Sequence, residues 1–369
     1  MSEIKCWITD SLHRIYKHDK PTGDTYHQLN LAKNDRNSFQ VGLRKNSPGI
    51  EKAEIKVEKP EAIDLKVRRV GYVPVPHYNT NTDIGELAGD LPGYVPDPLF
   101  EEKEVDLTYQ ETSSFWFTVK TDTEVTPGVY PVTISIVVDN DTVSELTCEI
   151  NVSSLTIQEK KEFPVTHWFY ADALCDWYEV EPFKGDFWEI AENYMKNLVD
   201  HEINVIHSPI FTPPTDGVKR PNQLLKVKEK EDGNYKFDWS DVKKWIEMAQ
   251  DCGMEYFEWS HLFSQWGVKN AIRIYENYDG VYEDRLLWDP ETRADSDTYY
   301  NFLSQFLPEF KEFLEEENIM DKSFFHLSDE PHGEEHLKNY KKAREILKEI
   351  APWMEIMDAL SEKDYAEKG

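Results

Sequence analysis

Phe324-Phe325-His326-Leu327-Ser328-Asp329-Glu330-Pro331 is an apolar run that drives into two adjacent carboxylates and stops at a proline. Ser323–Leu327 reads as a buried strand, and similar short runs recur around it, separated by helical patterns. Upstream lie Phe163–Tyr170, Ile203–His207 and Met254–Trp259; downstream lies Met354–Met357, ending at Asp358. Between them, Asp186 with Glu189 predicts a capped helix with Phe187, Ile190, Ala191, Tyr194 and Leu198 as its apolar stripe. Ser240 opens a helix closed by Gly253, and Ser296 opens a long one that Pro308 should kink. Leu337, Tyr340, Leu347 and Ile350 mark another. Strands alternating with helices predict parallel βα units. The expectation is a (β/α)8-type barrel truncated after about five βα units. Residues 163–369 span 207 positions, whereas a complete barrel takes about 250.

Ahead of residue 159 the periodicity changes to two. Ser114–Thr121 is rich in Phe, Trp, Thr and Val. Val132, Ile134, Ile136 and Val138 alternate with smaller or polar neighbours, Asp139-Asn140-Asp141 turns the chain, and Val143–Val152 alternates again. That is the pattern of an antiparallel β-sandwich. The proline-rich Val73–Leu99 reads as a long ordered loop. Two domains follow: a β-sandwich over 1–158 and an incomplete barrel over 159–369.

Lys and Arg number 41 against 71 Asp and Glu, a formal net charge of −30. Such a field repels phosphate backbones and anionic lipid, which argues against nucleic-acid and membrane-surface partners. The 11 Trp, 19 Tyr and 18 Phe supply core, and also the aromatic faces on which sugar rings pack. Cys6, Cys148, Cys175 and Cys252 are too scattered for a zinc site or a disulfide framework. The start of the chain has no signal-peptide pattern, and no run approaches the ~20 apolar residues of a membrane span. The reading is therefore cytoplasmic; no cofactor is implied, and nothing sets an oligomeric state.

In parallel βα folds the site gathers where strands end. Those positions hold Trp168, Tyr170 and Asp172; His207; His261, Gln265 and Trp266; Asp329 and Glu330; and Asp358. Trp177 and Trp259 are further platform candidates, Trp259 equally a core residue. Asp329 and Glu330 repel one another, which predicts one raised and one low pKa, the split that general acid and charge stabiliser need. Neighbours in sequence do not easily flank a sugar from opposite sides, as a protein nucleophile and acid do. They suit a substrate that supplies its own nucleophile, a 2-acetamido oxygen. Two alternatives stand beside this: a glycosidase whose nucleophile is a protein carboxylate such as Glu258, and a non-catalytic carbohydrate-binding protein. His332-Gly333-Glu334-Glu335-His336 matches a zinc-protease pattern in letters only, because Pro331 and Gly333 keep His332 off the helix; no metal is expected.

His167-Trp168-Phe169-Tyr170-Ala171-Asp172, Tyr256 through Gly267, and Phe325 through Pro331 together resemble glycoside hydrolase family 123 and its uncharacterised bacterial relatives. Arg69 through Pro74 and Pro92 through Leu99 extend the resemblance into the β-domain. The resemblance implies a β-N-acetylgalactosaminidase-like enzyme working by substrate assistance, with a β-sandwich ahead of the barrel. Asp329 then corresponds to the residue that orients the acetamido group and Glu330 to the general acid/base.

Overall fold

The computed structural model describes residues 3–78, 83, 85, 89, 91–160, 162–215, 217–278 and 285–368. It divides into two compact units, Met1–Lys161 and Glu162–Gly369.

The first unit is built from β1 (Ile4–Asp10), β2 (Tyr26–Lys33), β3 (Arg36–Lys45), β4 (Glu51–Glu58), β5 (Asp64–Val75), β6 (Gly93–Phe100), β7 (Glu104–Leu107), β8 (Thr112–Lys120), β9 (Gly128–Val138) and β10 (Asp141–Thr156). They form two five-stranded sheets, ordered β1-β3-β8-β5-β6 and β2-β10-β9-β4-β7. Alternation decides which faces turn inward. Val132, Ile134 and Ile136 of β9 and Leu146, Cys148 and Ile150 of β10 are fully buried. They join Phe39, Val41, Phe115 and Phe117 of the other sheet in one core, where Phe39 stacks on Phe117 at 4.7 Å. Asp139 and Asn140 both take positive φ, 51° and 69°, which lets a tight hairpin follow the strand twist.

Two expectations need correction. The sandwich is not wholly antiparallel, since β2 runs parallel to β10. Alternation with period two is the same for either direction, so residue pattern alone cannot distinguish them. Nor is Val73–Leu99 all loop: its two ends belong to β5 and β6, while part of its middle lies outside the described residues. The prolines fit because β6 is an edge strand, and β5 pairs with β8 only as far as Arg69, so Pro74 interrupts no inner ladder.

The second unit contains α1 (Ala171–Tyr178), α2 (Phe187–Asp200), β11 (Val205–Ser208), β12 (Lys226–Glu229), β13 (Tyr235–Asp238), α3 (Ser240–Cys252), β14 (Tyr256–Trp259), α4 (Asp297–Glu316), β15 (Ser323–Phe325), α5 (Gly333–Ile350) and α6 (Lys363–Lys368). β11, β14 and β15 form a parallel sheet in that order. Single parallel bridges, Thr166 with Val205 and Phe325 with Ile356, flank it on either side. The five expected strands are thus three strands and two bridges, and an eight-stranded barrel broken off after five units is not what the described residues show. Side chains replace ladder partners at both flanks. Asn204 Oδ1 accepts from Val165 N at 2.8 Å, and Asp358 Oδ1 accepts from Leu327 N at 2.9 Å.

Helix ends follow local chemistry. Gly253 closes α3 at φ 99°, and Ser296 Oγ caps α4 by accepting from Tyr299 N at 3.3 Å. α4 runs through Pro308 as one helix, and its buried Phe302, Phe306 and Phe310 join Trp245, Phe257 and Trp259 in the core. Among the described residues no helix is long and apolar enough to cross a membrane.

Candidate active site

Beyond the last bonds of the parallel ladder, backbone pairing carries two segments on side by side. Leu262 N donates to His326 O at 3.1 Å, Phe263 N to Leu327 O at 2.9 Å, and Trp266 N to Asp329 O at 2.9 Å. That register sets Gln265 opposite Asp329, and Gln265 Nε2 donates to Asp329 Oδ2 at 2.9 Å. Asp329 is half-buried and Glu330 exposed. Glu330 takes a left-handed φ of 44°, and its N–H donates to Ala359 O at 3.2 Å. A left-handed step in a non-glycine residue is sparsely populated and needs its surroundings to hold it.

The same strands carry a buried polar array; Trp168, His207, Glu258, His261 and Asp358 were candidates from the sequence, whereas Thr166, His326 and Tyr340 were not. Glu258 on β14, 1% exposed, accepts from Thr166 Oγ1, from Trp168 Nε1 at 2.7 Å, and from His326 Nε2 at 2.6 Å. His326 Nδ1 lies 3.4 Å from Asp358 Oδ1, whose other oxygen accepts from the Tyr340 hydroxyl at 2.7 Å. Burial pulls the His326 imidazole down, but Asp358 beside Nδ1 and the hydrogen bond to Glu258 outweigh it and push its pKa up to about 9. Burial likewise favours a protonated Glu258, yet the His326 bond and charge keep its pKa below the ordinary value. The result is an imidazolium held between two carboxylates. A histidine in an otherwise apolar strand run was the available signal.

Two more imidazoles surround it, both neutral. His261 stacks on His326 with centroids 4.5 Å apart, and burial, reinforced by the charge on His326, holds its pKa well below the usual histidine range. His207 is pushed down to about 4, chiefly by burial. Among the described residues, His207 Nε2, His261 Nδ1 and His326 Nδ1 have no hydrogen-bond partner. Half-buried Trp168 packs on His207 at 4.7 Å and meets His261 and His326 edge-on. Its ring is thus fixed by the Glu258 bond and by three imidazoles.

The other predicted positions divide. Tyr170 immediately precedes α1 and receives a hydrogen bond from Thr215 Oγ1 at 3.2 Å. Asp172, 2% exposed, accepts from Lys219 N at 2.7 Å and Asn222 Nδ2 at 3.0 Å, so its oxygens hold the 212–222 loop. Trp177 is 80% exposed on α1. Trp266 is 46% exposed, beside Gln265. Trp259 is core: 1% exposed, it packs edge-on to Phe310 and donates to Ser323 Oγ at 3.0 Å. Polar strand ends therefore also serve the fold, as Ser260 does by accepting from Phe211 N at 3.2 Å. A cleft of about 360 Å³ runs between the 212–221 loop and the segment from Ser264, lined in part by Thr215, Arg220 and Arg273. His332 is extended at φ −144° and its N–H donates to His336 Nδ1. Among the described residues no three His, Cys, Asp or Glu side chains are grouped to hold a metal ion.

The family model of the glycoside hydrolase 123 catalytic domain matches residues 168–369, more than half of the chain. The chain belongs to that family. Among solved structures it is similar to a family 123 glycoside hydrolase from Clostridium perfringens, studied for glycolipid glycan hydrolysis. That match has 14% identity and a TM-score of 0.77, covering 99% of this chain and 65% of that one. At that identity the likeness shows the fold alone, and the chain spans less than two thirds of this relative's length. A FixG-related protein from Vibrio parahaemolyticus aligns at 3% identity and a TM-score of 0.23 over 40% of this chain and 95% of that one, too weak to carry an argument. No curated protein matches the chain.

Proposed function

We propose that the chain is the core of a retaining β-N-acetylhexosaminidase, acting on galactosamine-type sugars with the substrate's own acetamido group as nucleophile. The parallel sheet is then part of a (β/α) barrel, and Asp329 and Glu330 sit at its mouth. Asp329, oriented by Gln265, accepts from the acetamido N–H and directs the carbonyl oxygen at C1. Glu330 gives a proton to the glycosidic oxygen as the C1–O bond breaks and an oxazolinium ring forms. It then takes a proton from water, which attacks C1 and opens the ring, so the anomeric configuration is retained. Trp168 and Trp266 supply faces for the sugar ring, and His261 and Asp358 shape the floor of the site.

One observation carries this reading against a protein nucleophile. Glu258, Asp172 and Asp358 are all held by hydrogen bonds within the fold, and Glu258, the alternative nucleophile, is 1% exposed under three donors. A carboxylate so solvated by protein donors is a weak nucleophile, and it is closed off from solvent. Glu330, by contrast, is exposed. The test is a panel of aryl β-glycosides matched in leaving group. Cleavage of 2-acetamido sugars with 2-hydroxy sugars left intact supports substrate assistance; comparable cleavage of both points to a protein nucleophile. Binding of both without turnover makes the chain a lectin.

A further inference from the structure

A large cleft lies in the first unit. We propose that it is a second, non-catalytic carbohydrate site for a short neutral oligosaccharide. The cleft encloses about 810 Å³, within the range of roughly 300–1,000 Å³ typical of ligand pockets. Its lining includes residues of β6 and β7, the edge strands of the two sheets.

Four basic and five acidic side chains line it, Glu54, Lys103 and Asp106 among them, and the other six form three pairs. Lys17 Nζ lies 3.4 Å from Glu111, Arg69 Nε lies 2.6 Å from Glu102, and Lys52 pairs with Glu104. Thr108 Oγ1 adds a hydrogen bond to Glu111 at 2.6 Å. A lining so nearly balanced in charge presents little net field to draw an anion or a cation. They do place strong donors beside strong acceptors, which is what hydroxyl groups require, since each donates and accepts. Two aromatic rings supply the complementary apolar surface. Lys17 Nζ sits 4.9 Å from the Tyr94 centroid and 5.8 Å from that of Tyr72, which fixes both rings. Tyr94 remains 50% exposed. Sugar C–H groups pack on such faces while the ring's hydroxyls meet the rim.

The same features disfavour other occupants. An apolar molecule would strip water from the ion pairs without replacing their hydrogen bonds. A peptide adding to β6 as an extra strand would meet Pro96 and Pro98, which have no N–H to offer, and β7 is only four residues long.

The experiment is calorimetric titration of the whole chain carrying Glu330→Gln, which on the proposed function slows turnover, with lactose, N-acetyllactosamine and chitotriose as probes. At least one sugar should bind. Adding Tyr94→Ala should weaken that binding about tenfold or abolish it, whereas Tyr94→Phe, which keeps the ring, should stay within about twofold. Circular dichroism reports folding; if Tyr94→Ala misfolds, Glu111→Gln and Lys17→Met decide in its place and should weaken binding similarly. Absence of binding by all three sugars overturns the proposal. So does binding unchanged by every cleft substitution, which would locate the sugar in the second unit. Because this titration reads binding alone, its outcome is separate from whether the second unit hydrolyses glycosides.

Discussion

Removing the charge on His326 should loosen the second unit by an amount fixed by its two carboxylate partners. Its imidazole lies 2.6 Å from Glu258 and 3.4 Å from Asp358, and its pKa is pushed from the ordinary 6.5 to about 9. At ~1.36 kcal/mol per unit, that difference corresponds to about 3 kcal/mol of stability. The folded pKa exceeds the unfolded one, so this contribution is complete below pH 6.5 and disappears as pH rises through about 9. Glu258 works in the opposite direction. Its folded pKa is depressed, so its contribution holds above the ordinary value of 4.5 and is lost as pH falls below it. His326→Gln has no proton to lose in this range, which isolates the effect. Urea unfolding of both proteins at pH 6 and pH 10, followed by tryptophan fluorescence, measures it, because every tryptophan except Trp7 and Trp116 lies in the second unit. The advantage of the native chain over the variant should shrink by about 3 kcal/mol between the two pH values. An unchanged difference would mean that His326 is not an imidazolium in the folded protein.

Asp172→Ala should leave the Lys219 N–H and the buried Asn222 amide without their partner, costing about 1–3 kcal/mol locally. Faster tryptic cleavage after Lys219 would report the loosened loop. Gly253→Ala forces a Cβ at φ 99° to within 3.2 Å of Val199 Cγ1, a cost of about 1–3 kcal/mol that should lower the melting temperature by several degrees.

The amphipathic helices were legible because their signals are local. Ser240 to Gly253 and Ser296 onward carry start residues, an apolar stripe and, for α3, a glycine stop within one contiguous stretch. β14 and β15 were found by their apolar runs. What escaped depends on partners distant in sequence. Asp172 and Asp358 look like open strand-end acids until Asn222, 50 residues away, and Leu327, 31 residues away, are found bonded to them. Neither α1 nor the β12–β13 hairpin was foreseen, since eight residues of helix and four-residue strands are too short for periodicity to register. The pairing of Gln265 with Asp329 comes from backbone bonds past the end of the ladder, which no spacing rule encodes.

In the proposed reaction Asp329 and Glu330 divide the chemistry of one bound sugar. Steady-state kinetics on an alkyl and a nitrophenyl 2-acetamido-2-deoxy-β-galactoside, for Asp329→Asn and Glu330→Gln, address it most directly. Asp329→Asn should lower kcat/KM on both substrates, and Glu330→Gln should lower it roughly 10²–10⁴-fold on the alkyl glycoside but much less on the nitrophenyl one, whose leaving group needs little proton. Near-normal rates for Asp329→Asn on the acetamido sugars would contradict the account.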